Sequence, residues 1–128
     1  MRWDASLAEA LDDRLTEWSG STGISVETWA LPDRPVPSPL ADAVLAVFDE
    51  ALANVERHSH ALIVSVAVTY GDRGLRLTIS DNGIGFDATL PGPGVLGMRR
   101  RFTDLGGSLT VNSVPGEGTT ISASAPRR

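Results

Sequence analysis

The chain contains no cysteine and no lysine. Without cysteine it has neither a disulfide framework nor a thiolate metal site, and it suits a reducing compartment. Without lysine a P-loop is impossible, because that phosphate cradle needs Gly-Lys-Ser/Thr. No apolar run reaches the ~18–20 residues that a membrane span requires. No basic start leads into a hydrophobic block, so no secretory leader is expected. The expectation is a cytoplasmic domain that makes no membrane contact. Positive charge is also scarce: 11 arginines face 16 acidic residues, for a net charge of −5. That balance argues against a nucleic-acid surface. It leaves room for a small anion site, since backbone amides at a helix N-terminus bind phosphate without net charge.

What is present suffices for one domain. The 128 residues, 41% of them hydrophobic, can bury a single core, and 1–128 reads as one domain without repeats or linkers. Trp3, Leu7, Ala10, Leu11, Leu15 and Trp18 recur at helical spacing, predicting a first helix that stops at Ser19-Gly20. Gly23 to Leu31 reads as a strand, and Pro32 to Pro39 as a connector that continues neither element. Ser38 is the expected N-cap of a second helix, with Pro39 at its first position. That helix is expected to run to about His58 on a stripe of Val44, Val47, Phe48, Ala51, Leu52 and Val55.

Leu62, Val64, Val66, Val68 and Tyr70 then alternate with Ile63, Ser65, Ala67 and Thr69, a strand pattern. Gly71-Asp72-Arg73-Gly74 turns into a strand with Leu75, Leu77 and Ile79 on one face. A loop follows from Asn82 to about Gly94, then a short helix from Met98 to Leu105 ended by Gly106-Gly107. Leu109 and Val111 mark a further strand, and Pro115 to Gly118 turns it into a last strand, Thr119 to Ala125. Hairpins interleaved with helices predict an α+β fold: a two-layer α/β sandwich, with about three helices on one face of a mixed, mainly antiparallel sheet.

Four constellations carry chemistry. Glu50, Asn54, Arg57 and His58 follow i, i+4, i+7, i+8 on the second helix, beside its apolar stripe. The amide oxygen of Asn54 is a hard ligand suited to Mg²⁺. Glu50, one turn earlier, suits a base or the holder of a metal-bound water, and Arg57 suits phosphate. The same row also reads as a solvated charged face. Next, Asp81 continues the phase of Leu75, Leu77 and Ile79, so its carboxylate points toward the core side. An unpaired acid there is costly, and a ligand amine such as adenine N6 would relieve the cost. Gly83 and Gly85 permit a tight turn and close approach; the bland alternative is an ordinary Asp-Asn-Gly turn.

Gly92-Pro93-Gly94-Val95-Leu96-Gly97 matches the dinucleotide fingerprint by letter, but that motif must directly follow a buried strand, and Ala88-Thr89-Leu90-Pro91 is a loop. What survives is a glycine-rich lead into a helix N-terminus, suitable for phosphates. Gly116-Glu117-Gly118-Thr119 alone reads as a hairpin turn. Of Arg99, Arg100 and Arg101, adjacent on a helix, one can face a phosphate while the others point elsewhere.

Taken in order, these motifs resemble the catalytic ATP-binding domain of bacterial sensor histidine kinases, of the superfamily shared with DNA gyrase, Hsp90 and MutL. The resemblance runs from about Leu7 to Pro126. The N box is matched by Glu50 to His58. The glycine boxes are matched by Asp81-Asn82-Gly83-Ile84-Gly85-Phe86, by Gly92 to Arg99 and by Gly116 to Thr119. Gly97-Met98-Arg99 and Leu105-Gly106-Gly107 look like the nitrate-sensor and desaturase-thermosensor branch.

The resemblance implies a Bergerat-type sandwich with ATP and Mg²⁺ as cofactors. Asp81 would accept from adenine N6, with Thr119 supporting it through water, and Gly83 and Gly85 would shape the adenine wall. Asn54 would bind the metal, Glu50 would act as base or polariser, and Arg57 and His58 would line the phosphate side. Gly94, Gly97 and Met98 would form the hinge and phosphate end of a lid. No phenylalanine-centred F box is visible, and no dimerisation helices with their phosphoacceptor histidine are present. The expected partners are therefore a histidine-bearing dimerisation domain of the parent kinase and, indirectly, a response regulator. An anti-sigma-factor serine kinase and a nucleotide-gated module without transfer activity are the alternatives.

Overall fold

The computed structural model describes residues 6–56, 62–84 and 92–127. The element order is α1 (Leu7–Thr22), β1 (Ser25–Ala30), α2 (Ser38–Asn54), β2 (Ile63–Gly71), β3 (Gly74–Asp81), α3 (Pro93–Asp104), β4 (Ser108–Ser113) and β5 (Thr119–Ala125). The strands form one five-stranded sheet in the order β1-β2-β3-β5-β4. Only the β1–β2 pair is parallel, with α2 in the connection between them; the other pairs are antiparallel. The α+β expectation, three helices on a mixed and mainly antiparallel sheet, is borne out.

One face of the sheet is apolar and the other is not. Val64, Val66 and Val68, Leu75, Leu77 and Ile79, Ile121 and Ala123, and Leu109 and Val111 are buried at alternate positions. They join Leu7, Leu11 and Leu15 of α1, Val44, Val47, Phe48 and Ala51 of α2, and Val95, Met98 and Phe102 of α3 in one core. Between them on the strands lie Ser, Thr and Ala residues such as Ser65, Ala67, Thr78, Ser122 and Thr110, which face away from the helices.

Four helix boundaries differ from the sequence reading. α1 passes through Gly20 and ends at Thr22, where Gly23 takes the left-handed cap and its N–H donates to the Ser19 carbonyl. α2 begins one residue earlier than expected: Pro37 is the N-cap, Ser38 is already helical, and no side chain caps the end. Regular α2 stops at Asn54, and the chain continues through a wider π-type turn at 55–56. α3 starts at Pro93, not Met98, because Gly92 serves as N-cap and Pro93 has the φ a first helical residue needs. Gly94 and Gly97 are therefore inside the helix, held there by burial of Val95, Met98 and Phe102 on its inner face.

Candidate functional site

The end of β3 carries the most informative group. Asp81 pairs with Val64 of β2 on one side and Thr119 of β5 on the other, and Thr119 pairs with Ser113 of β4. Register partners share a face, so Val64, Asp81, Thr119 and Ser113 form one row across the sheet, on the helix side. The Asp81 Oδ1 accepts from the Gly83 N–H at 2.8 Å. Burial pushes its carboxyl above the ordinary value, while the Gly83 and Thr119 backbone N–H groups partly hold it down. The turn expected from Asp-Asn-Gly and the core-facing acid are thus both present, on the same carboxylate. Two amide donors use part of a carboxylate's roughly four lone-pair sites, leaving capacity for a ligand donor.

The surrounding turns hold this row in place. Asn82 points away from it and accepts from the Leu62 and Ile63 N–H groups at 2.9 and 3.1 Å, clamping the β3 end to the start of β2. Gly116 N–H donates to the Ile84 carbonyl, tying the β4–β5 turn to the loop after Asp81. Gly118 has φ +84°, and a Cβ on it would collide with the Asp81 carbonyl oxygen. No residue but glycine fits that turn without displacing Asp81. The third glycine motif is therefore more than a plain hairpin: its backbone touches the acid's own peptide unit.

Glu50 and Asn54 lie in the last turns of α2, both half-buried. Gly94, in the first turn of α3, rests against Glu50; a Cβ there would stand 2.5 Å from Glu50 Oε2. The carboxylate thus lies at the positive end of the α3 dipole, and no side chain of α3 itself caps that N-terminus. Gly97 is exposed, whereas Met98 is 2% exposed and packs in the core. Arg99 is half-buried, and Arg100 and Arg101 are exposed. Arg57, His58 and Gly85 lie outside the described residues, as does most of the segment expected to act as a lid. The sequence reading passed over Ser113, although counting by twos from Leu109 and Val111 places it on the inward face.

The arrangement offers a recessed acceptor at the sheet end, a carboxylate and an amide on α2, and backbone amides at the α3 N-terminus. An amino-bearing base at the first and phosphates at the last match it chemically.

The sequence model of the histidine kinase-, DNA gyrase B- and HSP90-like ATPase family matches residues 40–128. The chain belongs to this family. Among its relatives, the sensor histidine kinase LiaS of Bacillus subtilis is 34% identical over 94% of this chain and 34% of its own length. The sensor protein VraS of Staphylococcus aureus is 32% identical over 96% of this chain and 36% of its own. The chain thus spans about a third of these relatives. Among solved structures, the blue-light activated histidine kinase of Erythrobacter litoralis superposes with a TM-score of 0.78 at 22% identity, covering 96% of this chain and 46% of that one. The Acinetobacter baumannii histidine kinase AdeS gives 0.72 at 17% identity, over 95% and 64%. Likeness at such identity shows the fold. The resemblance to histidine-kinase ATP-binding domains drawn from the four motifs is borne out, and membership of an ATPase family makes a nucleotide the ligand. Among the described residues, no helix is long and apolar enough to cross a membrane.

Proposed function

We propose that this chain is the catalytic domain of a two-component kinase, binding Mg-ATP and transferring the γ-phosphoryl group to a histidine on a separate dimerisation domain. Residues 1–128 act as one domain in this reading, on the cytoplasmic side, and a response regulator receives the phosphoryl group afterwards. The observation that carries it is the half-buried Asp81 carboxylate, held by two amides and recessed between Thr119 and Val64. An acid desolvated in this way favours a ligand that brings a donor, as the adenine amino group does.

Each residue then has a task. Asp81 accepts from the adenine amine, with Thr119 beside it, and Gly83 and Gly85 keep the wall narrow. Asn54 would offer its amide oxygen to Mg²⁺, and Arg57 and His58 would serve the phosphates. When bound, the metal neutralises charge on the transferred group. Mg²⁺ usually keeps several waters and is held by one or two carboxylates plus substrate phosphates; here the hard amide oxygen of Asn54 would take the place of a carboxylate, with waters and phosphates completing the shell. The N-terminal turn of α3, with Gly94, Gly97 and the Met98 anchor, closes over the phosphate end.

The acceptor imidazole, with a pKa of about 6.5, is already largely neutral at pH 7 and needs no strong base. One ring nitrogen attacks phosphorus as the bond to ADP breaks, and Glu50 orients the ring by accepting from the other nitrogen's N–H. The domain's contribution is positioning.

Two measurements test this reading. Calorimetric titration with a non-hydrolysable ATP analogue and Mg²⁺ should show binding to the wild type, weakened roughly 10- to 100-fold by Asp81→Asn, the worth of a charged hydrogen bond. Equal binding by both proteins overturns the pocket assignment. Radiolabelled ATP should leave the chain unlabelled alone, yet label the histidine-bearing domain of a relative in trans with an acid-labile, base-stable phosphate. Acid-stable label would instead indicate a serine kinase.

A further inference from the structure

We propose that the groove between α1 and α2 docks the helix that carries the acceptor histidine, and that this helix meets it with an apolar ridge flanked by arginine or lysine. The inference rests on the phosphotransfer reading above and adds to it the surface by which the acceptor is held.

The groove has a volume of about 430 Å³. Trp18 of α1 and Leu52 and Ala53 of α2 give it an apolar lining. Asp13 and Glu17, one turn apart on α1, and Asp49 and Glu56 on α2 line it as well, all four exposed. The lining thus sets four acids against one cation, Arg14, which pairs with Asp49. Such a surface draws a basic segment and repels an acidic one, and its apolar part suits a helix laid into a groove. The Trp18 indole N–H is buried and meets no acceptor among the described residues, a donor that an incoming segment can satisfy once the ring turns outward.

The place of the groove decides its occupant. Asp49, Ala53 and Glu56 follow i, i+4, i+7 on α2, one step round the helix from Glu50 and Asn54. α1 ends at Thr22, three residues before Ser25, which pairs with Ile63; the next residue of β2, Val64, pairs with Asp81. The groove therefore runs beside the nucleotide site and reaches the same end of the sheet. In the phosphotransfer reading the acceptor imidazole comes to Glu50. On one flank Glu50 is covered by Gly94 of α3, so the acceptor helix approaches from the α1 side. Its residues three, four and seven positions from the histidine then enter the groove. This chain spans about a third of its sensor-kinase relatives, and a separate segment supplies that helix.

Transfer in trans to the histidine-bearing domain of Bacillus subtilis LiaS is measured over a range of that domain's concentration. The proteins compared are wild type, the charge-reversed pair Asp13→Arg with Glu17→Arg, and the neutral pair Asp13→Asn with Glu17→Gln. Both positions are exposed on α1, so melting temperature and ATP affinity should stay at wild-type values. KM for the histidine-bearing domain should rise roughly tenfold in the reversed pair and about threefold in the neutral pair, with kcat at saturation unchanged. Added salt should raise KM for wild type but not for the reversed pair. An unchanged KM in both pairs overturns the proposal, and so does a higher KM that comes with weaker ATP binding, which marks damage to the domain itself. If the reversed pair alters self-association of this chain in sedimentation while KM stays put, the groove holds a second copy and the proposal falls. A wild type that binds ATP but labels no histidine overturns the phosphotransfer reading and this inference with it; one that labels histidine with a KM indifferent to these charges overturns this inference alone.

Discussion

At the scale of single residues, two carboxylates have different work. Asp81 is the one whose environment opposes its charge: burial raises its pKa more than its two amide partners lower it. A raised folded-state pKa means the native protein binds the proton more tightly than the unfolded chain does. Stability from this group therefore falls as pH rises from the ordinary carboxylate value through the raised one, and remains lower above it. A ligand amine reverses the balance, because it needs the ionised acid. Nucleotide affinity should fall as pH drops through the raised pKa, and this dependence should vanish in Asp81→Asn. The ligand-free variant should melt no lower than wild type at pH 7, although it binds more weakly. A variant that loses binding only because it unfolds would contradict this, and paired titration and melting curves separate the cases. Glu50 stands at the other end of the site, against Gly94. If it orients the attacking imidazole, Glu50→Gln should lower the rate of transfer in trans by roughly 10²-fold while ATP binding changes little. An equal loss in both would place Glu50 in binding alone.

At the scale of elements, α3 was the least legible part of the chain. Its glycines read as loop because intrinsic propensity disfavours them in helices, whereas Pro93 at the first position and the inward row Val95, Met98 and Phe102 outweigh that cost. The strands were read closely, because alternation over Val64, Val66 and Val68 and over Leu75, Leu77 and Ile79 has a period that nothing else in the chain imitates. Asp81 was placed correctly for the same reason. Ser113 and the tie from Gly116 to Ile84 were not foreseen, since the turns mark the two hairpins but carry no sign of how the hairpins join: β5 inserts between β3 and β4, and only that order brings Ser113 and Thr119 beside Asp81. The helical placement of Gly97 has a consequence for function. Among the described residues outside its own helix, a Cβ at Gly97 meets no atom within 4 Å, so Gly97→Ala should stabilise α3, by up to about 1 kcal/mol. If the first turns of α3 must rearrange over the phosphates, the same change should slow transfer in trans. Higher melting temperature with lower turnover is the expected pair; a more stable variant of unchanged turnover would show that this turn does not move.

At the scale of the whole molecule, the question is how far the nucleotide domain extends. The family match begins at residue 40, beyond α1 and β1, yet both are built into the same body. Leu7, Leu11 and Leu15 belong to the one core that also contains Val47 and Phe48 of α2, and β1 forms the parallel edge of the sheet beside β2. Arg14 of α1 pairs with Asp49, the residue before Glu50. That pair is exposed, so its own contribution is small, but it shows α1 lying along the helix that carries Glu50 and Asn54. α1 is thus a support for the α2 site face and no mere leader to it. Leu11, fully buried, tests this. Leu11→Ala should cost about 2–5 kcal/mol, as deletion of a core leucine does when the surroundings cannot close the cavity. If residues 1–128 fold as one domain, urea unfolding of the variant should remain a single transition with an unchanged slope and a lower midpoint, and tryptophan fluorescence, which comes from Trp3, Trp18 and Trp29, all before α2, should report the same midpoint as the far-ultraviolet signal of the sheet and helices. Saturating Mg-ATP should raise both midpoints together, since ligand at about 100 times its dissociation constant adds ~2.7 kcal/mol to whatever unit binds it. An α1 that melts separately, or that ATP leaves unprotected while the rest is stabilised, would mark the domain boundary near the start of α2 and detach the first helix from the site.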